Sequence, residues 1–168
     1  MLIVAVVALA MDVSCSLVRA GSSPLNANTL PPVPKDHFND YTGLICKLCV
    51  ERDDKRLADF ERETSNRLIV AVYPKAPADA LLDDYTRRVF EAWMKEMKTK
   101  HTAVIFVFTD DQKMSVQVSA ALKNILTERV LKDIVENDMM PGFEQREAGE
   151  AFSEGLTRMM TLLRAAKQ

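Results

Sequence analysis

A chain of 168 residues, 48% hydrophobic and 27% charged, has the composition of one globular domain with enough apolar residues to bury a core. Its 22 basic and 24 acidic residues leave a net charge of -2, which excludes the basic footprint that nucleic acid or an anionic membrane surface demands.

Residues 2–11 form an apolar run of the length of a signal-peptide core, too short to cross a bilayer. Val18 and Ala20 supply acceptable residues for cleavage before Gly21, although no basic residue precedes Leu2. Residues 1–20 therefore read as a secretion signal that takes Cys15 with it, and the mature protein is expected to be exported, periplasmic or extracellular. Residues 21–35, with Ser22, Ser23 and prolines at 24, 31, 32 and 34, read as a flexible lead-in. The domain is placed at 36–168. No later apolar run is long enough for a transmembrane anchor.

Residues 37–43 read as a turn-rich approach. From Cys46 onward, Leu48, Leu57 and Phe60 are assigned to one face of a helix that ends by Ser65. Residues 67–73 (RLIVAVY) are the first clear strand, closed by Pro74 and Pro77. A second helix is predicted over 79–98, where Tyr85, Val89, Trp93 and Met97 recur every fourth residue beside Leu82, Phe90 and Met94. Residues 103–108 are continuously apolar, as a central strand covered on both faces must be. Strand, helix and strand imply a βαβ unit with a right-handed crossover. Ligands gather at the carboxyl ends of such strands, which sets residues 73–75 beside Thr109, Asp110 and Asp111 at one rim.

The short link after Phe108 predicts a hairpin into an antiparallel, half-exposed strand, in which Met114, Val116 and Val118 alternate with Ser115, Gln117 and Ser119. Thr127 is placed as the cap of a helix carrying Val130, Leu131, Ile134 and Val135, stopped by Pro141 and Gly142. A final helix over 148–167 carries a stripe of Phe152, Leu156, Met159, Met160 and Leu163. The predicted class is α/β: a three-layer α/β/α sandwich, with a small mixed sheet and helices on both faces.

Two clusters carry chemistry. Asp110 and Asp111 can hold a hard divalent cation or form a solvated turn. Cys46 and Cys49 form a CxxC at the start of a helix, open to three readings: a redox pair, a disulfide after export, or small buried hydrophobes. His37 and His101 belong to no visible triad, and neither a nucleophile elbow nor a phosphate-cradling glycine loop is present.

The order of these segments resembles the TPM domain family. The resemblance rests on Phe38-Asn39-Asp40-Tyr41-Thr42-Gly43, the strand ending at Tyr73, Asp84-Tyr85 through Trp93, Asp110-Asp111-Gln112-Lys113, and Met140-Pro141-Gly142-Phe143. It implies an exported α/β/α domain in a family with Ca²⁺-binding members, an acid phosphatase activity in one branch, and accessory factors of membrane complexes. It carries the metal-ligating carboxylates onto Asp40, Asp110 and Asp111, and gives a phosphatase the residues Asp111 and Lys113. This chain departs from the family at Gln112, Ser115 and Gln117. Residues 119–123 replace a glycine loop, and Lys123 stands where the family has Glu, a charge that beside a metal site would repel the cation or replace it as a tethered counter-charge. The resemblance with these departures implies a non-catalytic accessory or interaction module with a protein partner, such as a membrane complex, and a weakened Ca or Mg site. The alternative is a metal-dependent phosphomonoesterase.

Overall fold

The computed structural model describes residues 25–144 and 148–166, so the secretion signal assigned to 1–20 lies outside the described residues. The sheet has the order β1-β2-β3-β4. β2 (Arg67–Tyr73) and β3 (Thr102–Phe108) are its centre, paired in parallel from Arg67↔Thr102 to Tyr73↔Phe108. Every residue of β3 is buried, as its unbroken apolar run requires. β4 (Lys113–Val118) pairs with β3 antiparallel through the predicted hairpin. β1 (Phe38–Asp40) lies parallel to β2 at the opposite edge, where the sequence reads as turns. A three-residue strand containing Asn and Asp has too little periodicity to announce itself.

The helices make the two outer layers. On the first face, α1 (Lys47–Thr64) and α5 (Ala148–Ala165) bury Leu57, Phe60 and the whole predicted stripe from Phe152 to Leu163 against Leu68, Val70, Val72 and Ile105. Leu48 does not join them and is 76% exposed. It precedes Leu57 by nine residues, two and a half helical turns, and so points the opposite way. On the second face, α2 (Leu82–Met97) buries Tyr85, Val89 and Trp93 against Ile69, Ala71, Val104 and Phe106. Strands β1, β2 and β3 step across the sheet in one direction, while α1 and α2 lie on opposite faces. The two crossovers therefore have opposite hands, and only one obeys the right-handed rule.

Two sequence expectations need correction. Residues 25–33 are packed rather than free: Leu25, Leu30 and Val33 lie against the second-face core, and the Trp93 indole N–H donates to the Pro31 carbonyl at 2.8 Å. Their apolar residues find an uncovered strip beside α2. The helix after Thr127 also does not stop at Pro141. Thr127 caps α3 (Glu128–Asp133) as predicted, accepting from the Val130 amide. The chain then widens into a π-helical turn (Ile134–Met139) before α4 (Met140–Glu144). Pro141 donates no N–H and crowds the carbonyl four residues earlier, and the wider turn just ahead of it accommodates both effects.

All three tyrosines of the chain, Tyr41, Tyr73 and Tyr85, have phenols pushed above their usual range, chiefly by burial. The Tyr73 and Tyr85 hydroxyls are buried without a hydrogen bond, and Tyr41 approaches Tyr73 without reaching hydrogen-bond geometry. Above the unfolded pKa of about 10, the unfolded chain loses phenolic protons that the folded chain keeps. Stability contributed by these groups is therefore complete below pH ~10 and falls as pH rises beyond it. Phenolate absorbance and the loss of circular dichroism should appear together in an alkaline titration. An ordinary phenol titration of the folded protein near pH ~10 would overturn this.

Candidate functional site

The carboxyl ends of β1, β2 and β3 form one rim, as topology predicts. Thr109 N–H donates to the Tyr73 carbonyl at 3.0 Å and Asp110 N–H to the Pro74 carbonyl at 2.8 Å. Asp111 Oδ2 accepts from the Ala76 amide at 2.8 Å, fixing the loop after β2 to the β3–β4 turn. Asp110 is exposed, and its carboxylate meets only the Thr109 hydroxyl, at 3.3 Å. Lys113 is exposed at the start of β4, opposite Phe108.

Asp40 ends β1, with β2 between it and β3. Its Oδ1 accepts from the Thr42 amide at 2.8 Å, the Thr42 hydroxyl at 2.6 Å and the Gly43 amide at 3.1 Å. Its Oδ2 accepts from the Ile45 amide at 2.8 Å. The sharp loop that brings these donors round needs Gly43 at φ +68°, a conformation costly for any side chain. An aromatic stack of Tyr41 on Tyr73, at 4.8 Å between ring centroids, and of Tyr73 on Phe108, at 6.2 Å, runs across the same rim.

A hard divalent cation wants several free oxygens converging on one point. Asp40 commits both of its oxygens to the Thr42–Ile45 loop and Asp111 one of its two to the Ala76 amide, and among the described residues no three His, Cys, Asp or Glu side chains come together to hold a metal. The residues present do not fit such an ion. Lys123 is also not a counter-charge to Asp111. It follows the far end of the antiparallel β4, so a strand about 20 Å long separates the two. His37, isolated in the sequence reading, pairs its Nε2 with Glu61 at 2.6 Å, and its amide donates to Asp54.

A groove of about 940 Å³ lies along β4. One wall is α2, with Asp83, Arg87, Phe90 and Glu91, and the other comprises Leu126, Leu131, Val135 and the charged flank of α3. The predicted alternation in β4 is present, but Ser115 does not face solvent. It is buried against α2, with its hydroxyl 2.9 Å from the Thr86 hydroxyl, while Gln117 Nε2 donates to Thr86 at 3.1 Å. Among the described residues the strand is open at its edge instead. Ser119 N–H donates to the Thr102 carbonyl, which makes that pair a hydrogen-bonded one. By alternation, Lys113, Ser115 and Gln117 also turn their amides and carbonyls toward β3. Those of Met114, Val116 and Val118 point outward into the groove. The alternating pattern of 114–119 was the sequence signal for this surface, but nothing in it says that, among the described residues, no strand pairs with the outer edge of β4.

A model of the TPM domain matches residues 38–162. Several solved structures are similar, three of which match in fold as follows. The solution structure of the N-terminal domain of a protein from P. gingivalis has a TM-score of 0.74 at 20% identity, over 86% of this chain and 95% of that chain. The N-terminal domain of the cg2496 protein from Corynebacterium glutamicum has a TM-score of 0.55 at 13% identity, over 86% and 88%. The BA42 protein from Bizionia argentinensis has a TM-score of 0.58 at 15% identity, over 71% and 81%. At these identities the likeness concerns the fold. No curated protein matches. Among the described residues no helix is long and apolar enough to cross a membrane.

Proposed function

The chain belongs to the TPM domain family, and from that premise we propose that it is an exported interaction module, without phosphatase activity, that takes an extended segment of a protein partner along β4. The observation that carries this reading is the open edge of β4, whose Met114, Val116 and Val118 backbone groups face a groove walled on both sides. An added strand gains main-chain hydrogen bonds from such an edge, and its alternate side chains take the two walls. Those toward α2 meet Asp83, Arg87 and Glu91, and those toward α3 meet Leu126, Leu131 and Val135. The fitting segment therefore alternates polar and apolar residues. Export is supported by the apolar run of residues 2–11, followed by acceptable cleavage residues at Val18 and Ala20.

The test is selection of extended peptides on the purified protein, followed by amide hydrogen exchange. The Met114, Val116 and Val118 amides should become protected when peptide binds, and Val116→Pro should abolish binding without unfolding the edge strand. Selected peptides that protect none of these amides, and bind the proline variant equally, would overturn the reading. The same protein should show no turnover of a generic phosphate ester and no change in unfolding midpoint with millimolar Ca²⁺ or Mg²⁺. A ligand at a hundred times its dissociation constant adds about 2.7 kcal/mol, a shift of several degrees that is easily seen. A shift that disappears with Asp110→Asn and Asp111→Asn would restore the cation site and its phosphatase.

A further inference from the structure

We infer that Cys46 and Cys49 are a redox-active pair that exchanges disulfides with other proteins, with Cys46 as the attacking sulfur. The two are joined as a disulfide across the first turn of α1, with Cα atoms 5.1 Å apart. Their environments differ. Cys46 is exposed at the cap position, and its Sγ accepts from the Cys49 amide at 3.0 Å. A helix-terminal amide stabilises a thiolate there, and no acidic residue stands in the first turn to oppose it. Cys49 is half-buried against α5. A Cβ added to Gly149 would lie 2.8 Å from its Sγ, so glycine leaves room for that sulfur and nothing more. One sulfur thus meets solvent and the other waits behind it, which is the division between an attacking and a resolving cysteine.

Exposed large apolar side chains flank Cys46 in the chain, beside the exposed Lys47–Glu51 ion pair. Tyr41, Leu44 and Leu48 are 37%, 56% and 76% exposed, and they lie within a few residues of the pair on its amino-terminal loop and first turn. Exposed apolar side chains beside an exposed disulfide suit the docking of a polypeptide rather than a small thiol. A local bridge within one helical turn constrains the unfolded chain less than a long-range one, so stapling alone is a weak account of it.

The exchange balances as follows. In the reduced pair, the Cys46 thiolate attacks one sulfur of a partner's disulfide. That bond breaks, a Cys46–partner mixed disulfide forms, and the partner's other sulfur leaves as a thiolate and takes a proton. The Cys49 thiolate then attacks Cys46 Sγ, closing the Cys46–Cys49 bond and releasing the partner's second thiol. Two electrons pass to the partner, and a dithiol donor resets the pair. In the opposite direction the same steps oxidise a partner dithiol.

The test uses the full chain with Cys15→Ser, so that only this pair reports. With insulin as substrate and dithiothreitol as reductant, the protein should speed precipitation of the reduced chains at least about fivefold over dithiothreitol alone. Cys46→Ser should remove the acceleration while keeping the fold, because serine is a favoured cap. Cys49→Ser should accumulate a mixed disulfide with glutathione, seen as one added mass on Cys46. Leu48→Ser should slow insulin reduction while leaving exchange with glutathione unchanged. If dithiothreitol reduces the pair fully and insulin precipitates no faster than with dithiothreitol alone, the bond is a staple and the inference fails.

Discussion

Trp93→Ala should lower stability by about 3–5 kcal/mol and the unfolding midpoint by roughly 10 °C. The indole is buried, its ring centroid is 5.4 Å from that of Phe106, and it sits in the core between α2 and the central strands. Truncation leaves a cavity in the layer where, among the described residues, α2 is the only long helix. It also removes the hydrogen bond from Nε1 to the Pro31 carbonyl, which holds residues 25–33 against the domain. Two measurements therefore move together, the midpoint and the protease resistance of this lead-in. Trp93→Phe separates them: it keeps most of the ring packing and should cost only about 1–2 kcal/mol while still freeing the lead-in. A Trp93→Ala midpoint within two degrees of the parent would mean that the second face is not part of the cooperative core.

The fold was legible wherever one burial pattern ran for several residues. β2 and β3 are each covered on both faces, so their sequences are unbroken apolar runs that admit one reading. The stripe of α5 from Phe152 to Leu163 repeats at helical spacing and is buried throughout. Where the pattern was short or interrupted, other forces decided. β1 exists because β2 has a free parallel edge, which the Phe38 to Asp40 sequence does not reveal. Leu122 and Leu126 enter the first-face core from the link after β4, where a single turn of i, i+4 spacing is too short to announce a helix. Leu48 lies about half a turn of the helix away from Leu57, so apolar character alone does not put it on the buried face.

The site was legible in part. Topology alone brought residues 73–75 beside Asp110 and Asp111. It was silent on what each carboxylate does there, since an Asp that ligates a cation and an Asp that ties down loop amides look alike in sequence. Asp40 and Asp111 are of the second kind. The groove along β4 escaped notice because its content is an unpaired edge, a property of the sheet order and not of any residue.

Asp53 went unremarked as one acid among the charges of α1, and its replacement should rank with that of Trp93. Its carboxylate is buried and accepts from Arg56 Nη1 at 2.7 Å, Arg52 Nη2 at 3.1 Å and the Ser153 hydroxyl at 3.3 Å. Both arginines continue onto α5: Arg56 reaches Ser153 and Thr157, each at 2.6 Å, and Arg52 reaches Glu150 at 2.9 Å. The carboxylate is the node of a clamp between the two long helices of the first face. Removing one partner of a buried pair costs about 3–5 kcal/mol. Here the guanidinium side chains are 40% and 33% exposed and regain water, so Asp53→Ala should cost about 2–3 kcal/mol. High salt should leave most of that loss in place, because the carboxylate itself is shielded from ions. A cycle pairing Asp53→Asn with Arg56→Gln isolates the coupling; additive single effects would show that the carboxylate acts through packing alone. The clamp also reaches the cysteine pair, since Arg52 Nη2 lies 3.5 Å from the carbonyl of Gly149, against which Cys49 rests. Asp53→Ala should therefore speed alkylation of reduced Cys49 while leaving exposed Cys46 unchanged, a readout that general destabilisation would not confine to one sulfur.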